Sequence, residues 1–249
     1  MSGHSKWATI KHKKAATDAK RGKVFTRLIR EIQIAARHGG GDPEANPRLR
    51  TAITSAKSQS MPQDNIKRAI LRGAGGLEGE SLEEITFEGY GPAGVAVFVE
   101  TVTDNRNRTV SEVRHMFSKN GGNLGENGCV AYMFDRKSLI TVPKSALGED
   151  ELMEAALGAG SEDMQDEDEN WVVVSDYTAH DQVLTALQGL GIEPASAELA
   201  RVPQVTVKLE GKQAASVLRM IDAIEEQDDV QNVFANFDID DEELEKLSA

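Results

Sequence analysis

One cysteine, Cys129, stands in 249 residues, so no internal disulfide framework is available. It opens the longest uninterrupted apolar run, Cys129 to Phe134, and reads as a buried strand residue rather than a reactive thiol. That run is far short of the roughly 20 residues a membrane-spanning helix needs, so no segment is expected to cross a bilayer. No apolar stretch follows the basic start, which argues against a secretory signal. The early cations are Lys rather than Arg and form no amphipathic stripe, which argues against a mitochondrial transit peptide. A reducing cytoplasm is the expected compartment.

Recognisable catalytic signatures are missing too. His4, His12, His38, His115 and His180 show no pairing with Cys or carboxylate at metal-ligand spacing, so zinc is not indicated. Gly89-Tyr-Gly-Pro-Ala-Gly94 matches G-x-G-x-x-G but precedes a strand, whereas a dinucleotide site follows one and opens a helix. Asp166-Glu-Asp-Glu-Asn170 mimics a calcium loop, yet Trp171 takes the obligatory Gly position, and a solvated acidic hairpin fits better. There is no Walker A, no G-x-S-x-G and no nucleophile with its base. The expectation is a non-enzymatic protein with no cofactor, no metal and no small-molecule substrate.

Acid is scarce in one place only. Through Leu77 the chain carries 16 Lys and Arg against 5 Asp and Glu, net +11; from Glu78 onward it carries 12 against 36, net −24. The first 23 residues hold seven cations and a single acid, Asp18. Such a head calls for a polyanion, and nucleic acid is the usual one. Lys6, Lys11, Lys13, Lys14, Lys20, Arg21 and Lys23 are candidate phosphate contacts, each releasing counterions on binding. Trp7 is a candidate for stacking on a base or for pinning the arm to a core. Arg106 and Arg108, in Thr103-Asp-Asn-Arg-Asn-Arg-Thr109, sit in a turn opening a helix, which suits either a held phosphate or a solvated turn.

Hydrophobic periodicity organises the rest. Between Lys23 and Arg37, Phe25, Leu28, Ile29, Ile32, Ala35 and Ala36 share one side of a helical wheel. Lys23, Arg27, Arg30 and Arg37 fall opposite, a basic outer face that adds Arg27 and Arg30 to the candidate contacts. Asn46-Pro47 opens a second helix and Met61-Pro62 a third, with Lys67, Arg68 and Arg72 directed outward. Arg72 to Gly76 reads as a hinge. Beyond it, Val95 to Val102 (strand), a helix opened by a capping box at Thr109 to Glu112, and Val130 to Phe134 (strand) form one β-α-β unit. Gln204 to Leu209, Gly211 to Glu226 and Val230 to Phe237 repeat the order, and the intervening stretch repeats it again. The expected fold class is multi-domain α and α+β, a three-helix domain followed by two ferredoxin-like α+β domains, one inserted in the other. The boundaries expected are 1–77 for the basic helical domain, 78–136 with 203–249 for the split domain, and 137–202 for the acidic insert.

Several blocks also carry a resemblance. Gly3-His-Ser-Lys-Trp-Ala-Thr-Ile-Lys-His-Lys-Lys14, Asp18-Ala-Lys-Arg-Gly-Lys23, Met61-Pro-Gln-Asp-Asn-Ile66, Gly89-Tyr-Gly-Pro92, Thr103 to Thr109, Gly121-Gly-Asn-Leu124 and Asp229-Val-Gln-Asn-Val233 resemble the signature blocks of the YebC family. The resemblance implies a helical N-terminal domain plus two α+β domains, the third inserted in the second. It implies bacterial cytoplasmic proteins described as probable DNA-binding transcriptional regulators. Relatives are instead linked to the ribosome, to ribosomal RNA and to relief of stalling at proline-rich stretches, the alternative function. Under either, nucleic acid is the expected partner, no membrane is involved, and the acidic domains are suited to a basic protein.

Overall fold

The computed structural model describes residues 18–77, 81–167 and 169–248. Three helices come first: α1 (Asp18–Gly39), α2 (Pro47–Ser58) and α3 (Gln63–Gly73). Their small core is built from Ile32, Ala35 and Ala36 of α1, Leu49, Ala52, Ile53 and Ala56 of α2, Met61, and Ile66 and Ala69 of α3. Alanines at these positions let the helix axes approach closely. Asn46 fixes the α1–α2 corner. Its Oδ1 accepts from Leu49 N at 3.1 Å, capping α2, while its Nδ2 donates to Ala35 O at 2.8 Å and Gly40 O at 2.9 Å. The stretch Arg72 to Gly76, expected as a hinge, closes α3 instead. Gly75 takes φ +80°, its N–H bonds Arg72 O at 3.2 Å and that of Gly76 bonds Leu71 O at 2.8 Å, the Schellman arrangement.

These helices belong to one compact unit with the α+β residues up to Phe134 and from Pro203 onward. Its elements are β1 (Glu83–Tyr90), β2 (Ala96–Thr103), α4 (Arg106–Lys119), β3 (Asn123–Leu124), β8 (Val207–Lys208), α7 (Gly211–Glu225), β9 (Val230–Ala235), β10 (Phe237–Asp238) and α8 (Asp241–Ser248). The main sheet runs β3-β1-β2-β9, each neighbouring pair antiparallel. Val97 and Val99 of β2, Val113 and Phe117 of α4, and Val217, Ile221 and Ile224 of α7 share the core on one face. On the other face Ile34 of α1 meets Leu82 and Val102. The helical module therefore rests against this sheet.

Residues 135–202 form the second unit. Its elements are β4 (Phe134–Pro143), α5 (Glu149–Gly158), β5 (Ser161–Glu167), β6 (Asn170–Asp176), α6 (His180–Gly189) and β7 (Ser196–Pro203), with sheet order β5-β6-β4-β7. Its core joins Ile140, Val142, Trp171 and Val173 to Leu152, Val183 and Leu187.

Four local expectations are corrected in the first unit. β1 was not anticipated, and it pairs with β2 as a hairpin, Glu83 opposite Thr103 through Tyr90 opposite Ala96. Val130 to Phe134 is no strand, since Ala131–Met133 is a short 3-10 turn. The cause is Glu88, buried, whose carboxylate accepts from the backbone N–H groups of Gly128, Val130 and Ala131 at 2.7, 2.9 and 2.8 Å. Donors turned to a carboxylate are lost to a strand ladder. Of Gln204 to Leu209 only Val207–Lys208 pairs, parallel to β10. Finally, α4 opens at Arg106 rather than Thr109, capped by Asn105 Oδ1 accepting from Arg108 N at 3.1 Å.

Candidate nucleic-acid interface

The basic stripe of α1 is engaged by its own chain, with Arg27 and Arg30 part-buried and Lys23 and Arg37 at its exposed ends. Lys23 Nζ donates to Glu226 O at 2.9 Å, Arg27 Nη2 donates to Glu225 O, and Arg30 Nη1 donates to Asp228 O and, at 3.3 Å, to Val102 O. Arg37 reaches Leu82 O in the same way. The last carbonyls of α7 have no partner within their own helix and lie at the negative end of its dipole, so Lys23 and Arg27 of α1 cap them, while Arg30 meets the carbonyl of Asp228 just beyond the helix. Burial lowers the pKa of Arg27, while Glu225 and Asp228 pull it back up. A helical wheel separates polar from apolar positions. It does not distinguish water from the carbonyl end of another helix, which is why the stripe reads as solvent-facing in sequence.

Asp229, only 4% exposed, gathers this seam. Its Oδ1 accepts from Arg30 at 2.9 Å and from Arg108 at 3.0 Å. Its Oδ2 accepts from Arg108 at 2.9 Å, Thr109 Oγ1 at 2.7 Å and Thr103 Oγ1 at 3.2 Å. Burial alone would raise the carboxyl. Hydrogen bonds from Arg108 and Thr109, with the charges of Arg30 and Arg108, outweigh it and hold the group below the ordinary aspartate value. Arg108 is raised in turn by its bonds to Asp229 and to Asp104, the latter at 2.7 Å. The Thr103 to Thr109 turn, suited in sequence to a phosphate or to solvent, thus closes on a carboxylate of its own chain. Arg106 is more open, 3.6 Å from Glu83.

Of the other residues singled out in sequence, Lys6, Trp7, Lys11, Lys13 and Lys14 lie outside the described residues, and Lys20 and Arg21 fall in the first turn of α1. Arg48 is committed, bridging Glu31 at 2.7 Å and Glu84 at 2.7 Å. Lys57 on α2 and Lys67, Arg68 and Arg72 on α3 are exposed and have no partner among the described residues. Sequence reasoning placed three of these four outward yet did not count them as a site, because the head drew attention by sheer density. A groove at Lys57 is lined also by Glu44, Arg50, Thr54, Gln63 and Ile66. Among the described residues no group of three or more His, Cys, Asp or Glu side chains comes together as a metal site, and no helix is long and apolar enough to cross a membrane.

A helical region followed by two β-sheet-rich α+β units defines a multi-domain α and α+β protein. The chain belongs to the TACO1/YebC family: residues 5–76 match its "TACO1/YebC protein N-terminal domain" and residues 82–237 its "TACO1/YebC second and third domain". It is 61% identical over 248 residues to a "Probable transcriptional regulatory protein" of Solibacter usitatus, covering 100% of both chains. It is 59% identical over 247 residues to one of Citrifermentans bemidjiense, covering 99% of this chain and 100% of that one. Among solved structures it is similar to the conserved hypothetical protein Aq1575 from Aquifex aeolicus, with 50% identity and a TM-score of 0.83 over 90% of this chain and 93% of that one.

Proposed function

We propose that this protein is a non-enzymatic, DNA-binding regulator of transcription whose phosphate contacts come from its cationic N-terminal segment and helical module. The observation that carries the reading is the charge split, net +11 through Leu77 against net −24 beyond it. Like-charge repulsion turns the acidic residues away from a duplex and orients the molecule on it. The printed names of the relatives, probable transcriptional regulatory proteins, support the same reading. Within this proposal the domains are 1–77, 78–136 with 203–249, and 137–202. Support for a ferredoxin-like 137–202 comes from its β-α-β-β-α-β order and its sheet order β5-β6-β4-β7.

The phosphate contacts proposed are Lys6, Lys11, Lys13, Lys14, Lys20 and Arg21, with Trp7 beside them and Arg106 at the margin. Lys23, Arg27 and Arg30 hold intramolecular partners and join only if α1 leaves its seat, and Arg108 only if it releases Asp104 and Asp229. If about five cations touch phosphate, log K falls with log salt at a slope of roughly −3.5 to −4.5. Fluorescence anisotropy with promoter fragments, random duplex and ribosomal particles tests the proposal. Tighter binding to promoter fragments supports it. Equal affinity for both duplexes removes the sequence-specific version. Tight binding to ribosomal particles with none to duplex overturns it in favour of an RNA target.

A further inference from the structure

We infer that the outward face of α3, with Lys57 at the end of α2, docks on the sugar-phosphate backbone of duplex DNA. This rests on the proposed function and gives it an address among the described residues. α1 lies between the sheet and the other two helices, its Ile34 turned to Leu82 and Val102 and its Ile32, Ala35 and Ala36 to α2 and α3. Lys23, Arg27, Arg30 and Arg37 of α1 are engaged by that arrangement. The cations of α3 are not.

Ile66 and Ala69 fix which side of α3 is inward, so Lys67, Arg68, Leu71 and Arg72 project outward. Arg68 and Arg72 are one turn apart, with Cβ atoms about 5–6 Å from each other. Leu71 stands among them at 50% exposure, an apolar contact amid cations. Asp64 is the one acid in α3, and α2 contains none. Lys57, Lys67, Arg68 and Arg72 have no acidic partner among the described residues, and they fall on two helices that together hold a single acid. Long cationic side chains held on two short helices packed on one core present their charges from a fixed frame, which suits a regularly spaced polyanion better than a diffuse ionic atmosphere. Phosphates supply the complementary charge, and the extended stems of Lys and Arg reach them without burying the helix.

The test uses the full chain carrying K57Q/K67Q/R68Q/R72Q. Anisotropy titrations on a random-sequence duplex of about 25 base pairs are run across a salt series, beside the wild type and a control, R114Q/K119Q/K212Q/R219Q. The control removes the same number of charges from exposed positions of the α+β region. The α3 variant is expected to bind at least tenfold more weakly at low salt. Its slope of log K against log salt should be shallower by about 2 to 4, since each phosphate left without its cation removes about 0.9, while the control stays near the wild type. Wild-type binding that survives unchanged in the α3 variant overturns the inference and leaves the broader function standing. Equal losses in variant and control overturn it as well, since net charge alone would then account for binding. A wild-type chain with no affinity for duplex overturns the proposed function together with the inference.

Discussion

Asp229 joins residues that lie 199, 121 and 120 positions away in sequence: Arg30, Arg108 and Thr109. Within Glu225-Glu-Gln-Asp-Asp229 nothing in composition separates it from its solvated neighbours. Its importance is set by partners no local pattern brings into view. Asp229→Asn leaves two guanidinium groups facing a neutral amide in a largely desolvated place, and is expected to destabilise the first unit by about 2–4 kcal/mol. Urea unfolding measures this, and a loss under about 0.5 kcal/mol would mean that Arg30 and Arg108 find other acceptors. Because the folded carboxyl is held below its ordinary value, this contribution is present above about pH 4 and disappears as pH falls through the folded value. His180 works in a higher window. It is buried, Ser138 Oγ lies 2.8 Å from its Nδ1, and its Nε2 has no partner in the structure. Burial lowers its pKa against the opposing charge of Asp181, so the unfolded chain takes up the proton more readily. Stability of the second unit is therefore full above roughly pH 6.5 and declines below it. Hydrogen exchange across residues 135–202, corrected for intrinsic rates, should quicken between pH 7.5 and 5.5, and His180→Gln should abolish the change.

Elements differ in how openly the sequence declares them. α2 was legible because Asn46-Pro47 signals a start and Leu49, Ala52, Ile53 and Ala56 repeat at helical spacing. All six elements of residues 135–202 were legible, each being short and bounded by turn residues. β1 was not, because only Ile85, Phe87 and the terminal Tyr90 are apolar in Glu83–Tyr90 and its buried Glu88 looks like a surface residue. What holds Glu88 inside is three N–H groups some forty positions later. The seat of α1 was equally hidden, since the acceptors for Lys23, Arg27 and Arg30 include backbone carbonyls that carry no residue signature. At this scale Asn46 is the side chain most shared between elements. Asn46→Ala removes the α2 cap and both bonds to the end of α1, an expected cost of about 2–3 kcal/mol. Asn46→Asp keeps the cap but cannot donate, and should fall between the two in thermal denaturation. If Asn46→Asp proves as stable as the wild type, the bonds to Ala35 and Gly40 contribute nothing.

Over the whole molecule, charge was the most legible property and its use the least. The surplus of cations through Leu77 was plain, yet part of it neutralises the acid-rich end of α7 rather than an outside partner. The chain leaves the first unit and re-enters it at neighbouring points, where Gln204 N donates to Met133 O at 2.9 Å. Replacing residues 135–202 by a short Gly/Ser linker should therefore leave the first unit folded, as judged by an unchanged hydrogen-exchange pattern in α1, α4 and α7. General loss of protection would mean that the second unit is required for the first. The order of the main sheet also sets a timetable. β2 pairs with β9 through residues such as Glu100 and Asn232, 132 positions apart. At a synthesis rate of about 5–20 residues per second, β2 waits roughly 7–26 s for its neighbour, and its open edge is on offer to other chains meanwhile. The stretch made during that wait contains the second unit, whose strand pairings all fall within its own sheet. It can finish folding before the first unit is able to close, so a nascent chain stalled or truncated near residue 202 would carry a completed later domain beside an unfinished earlier one.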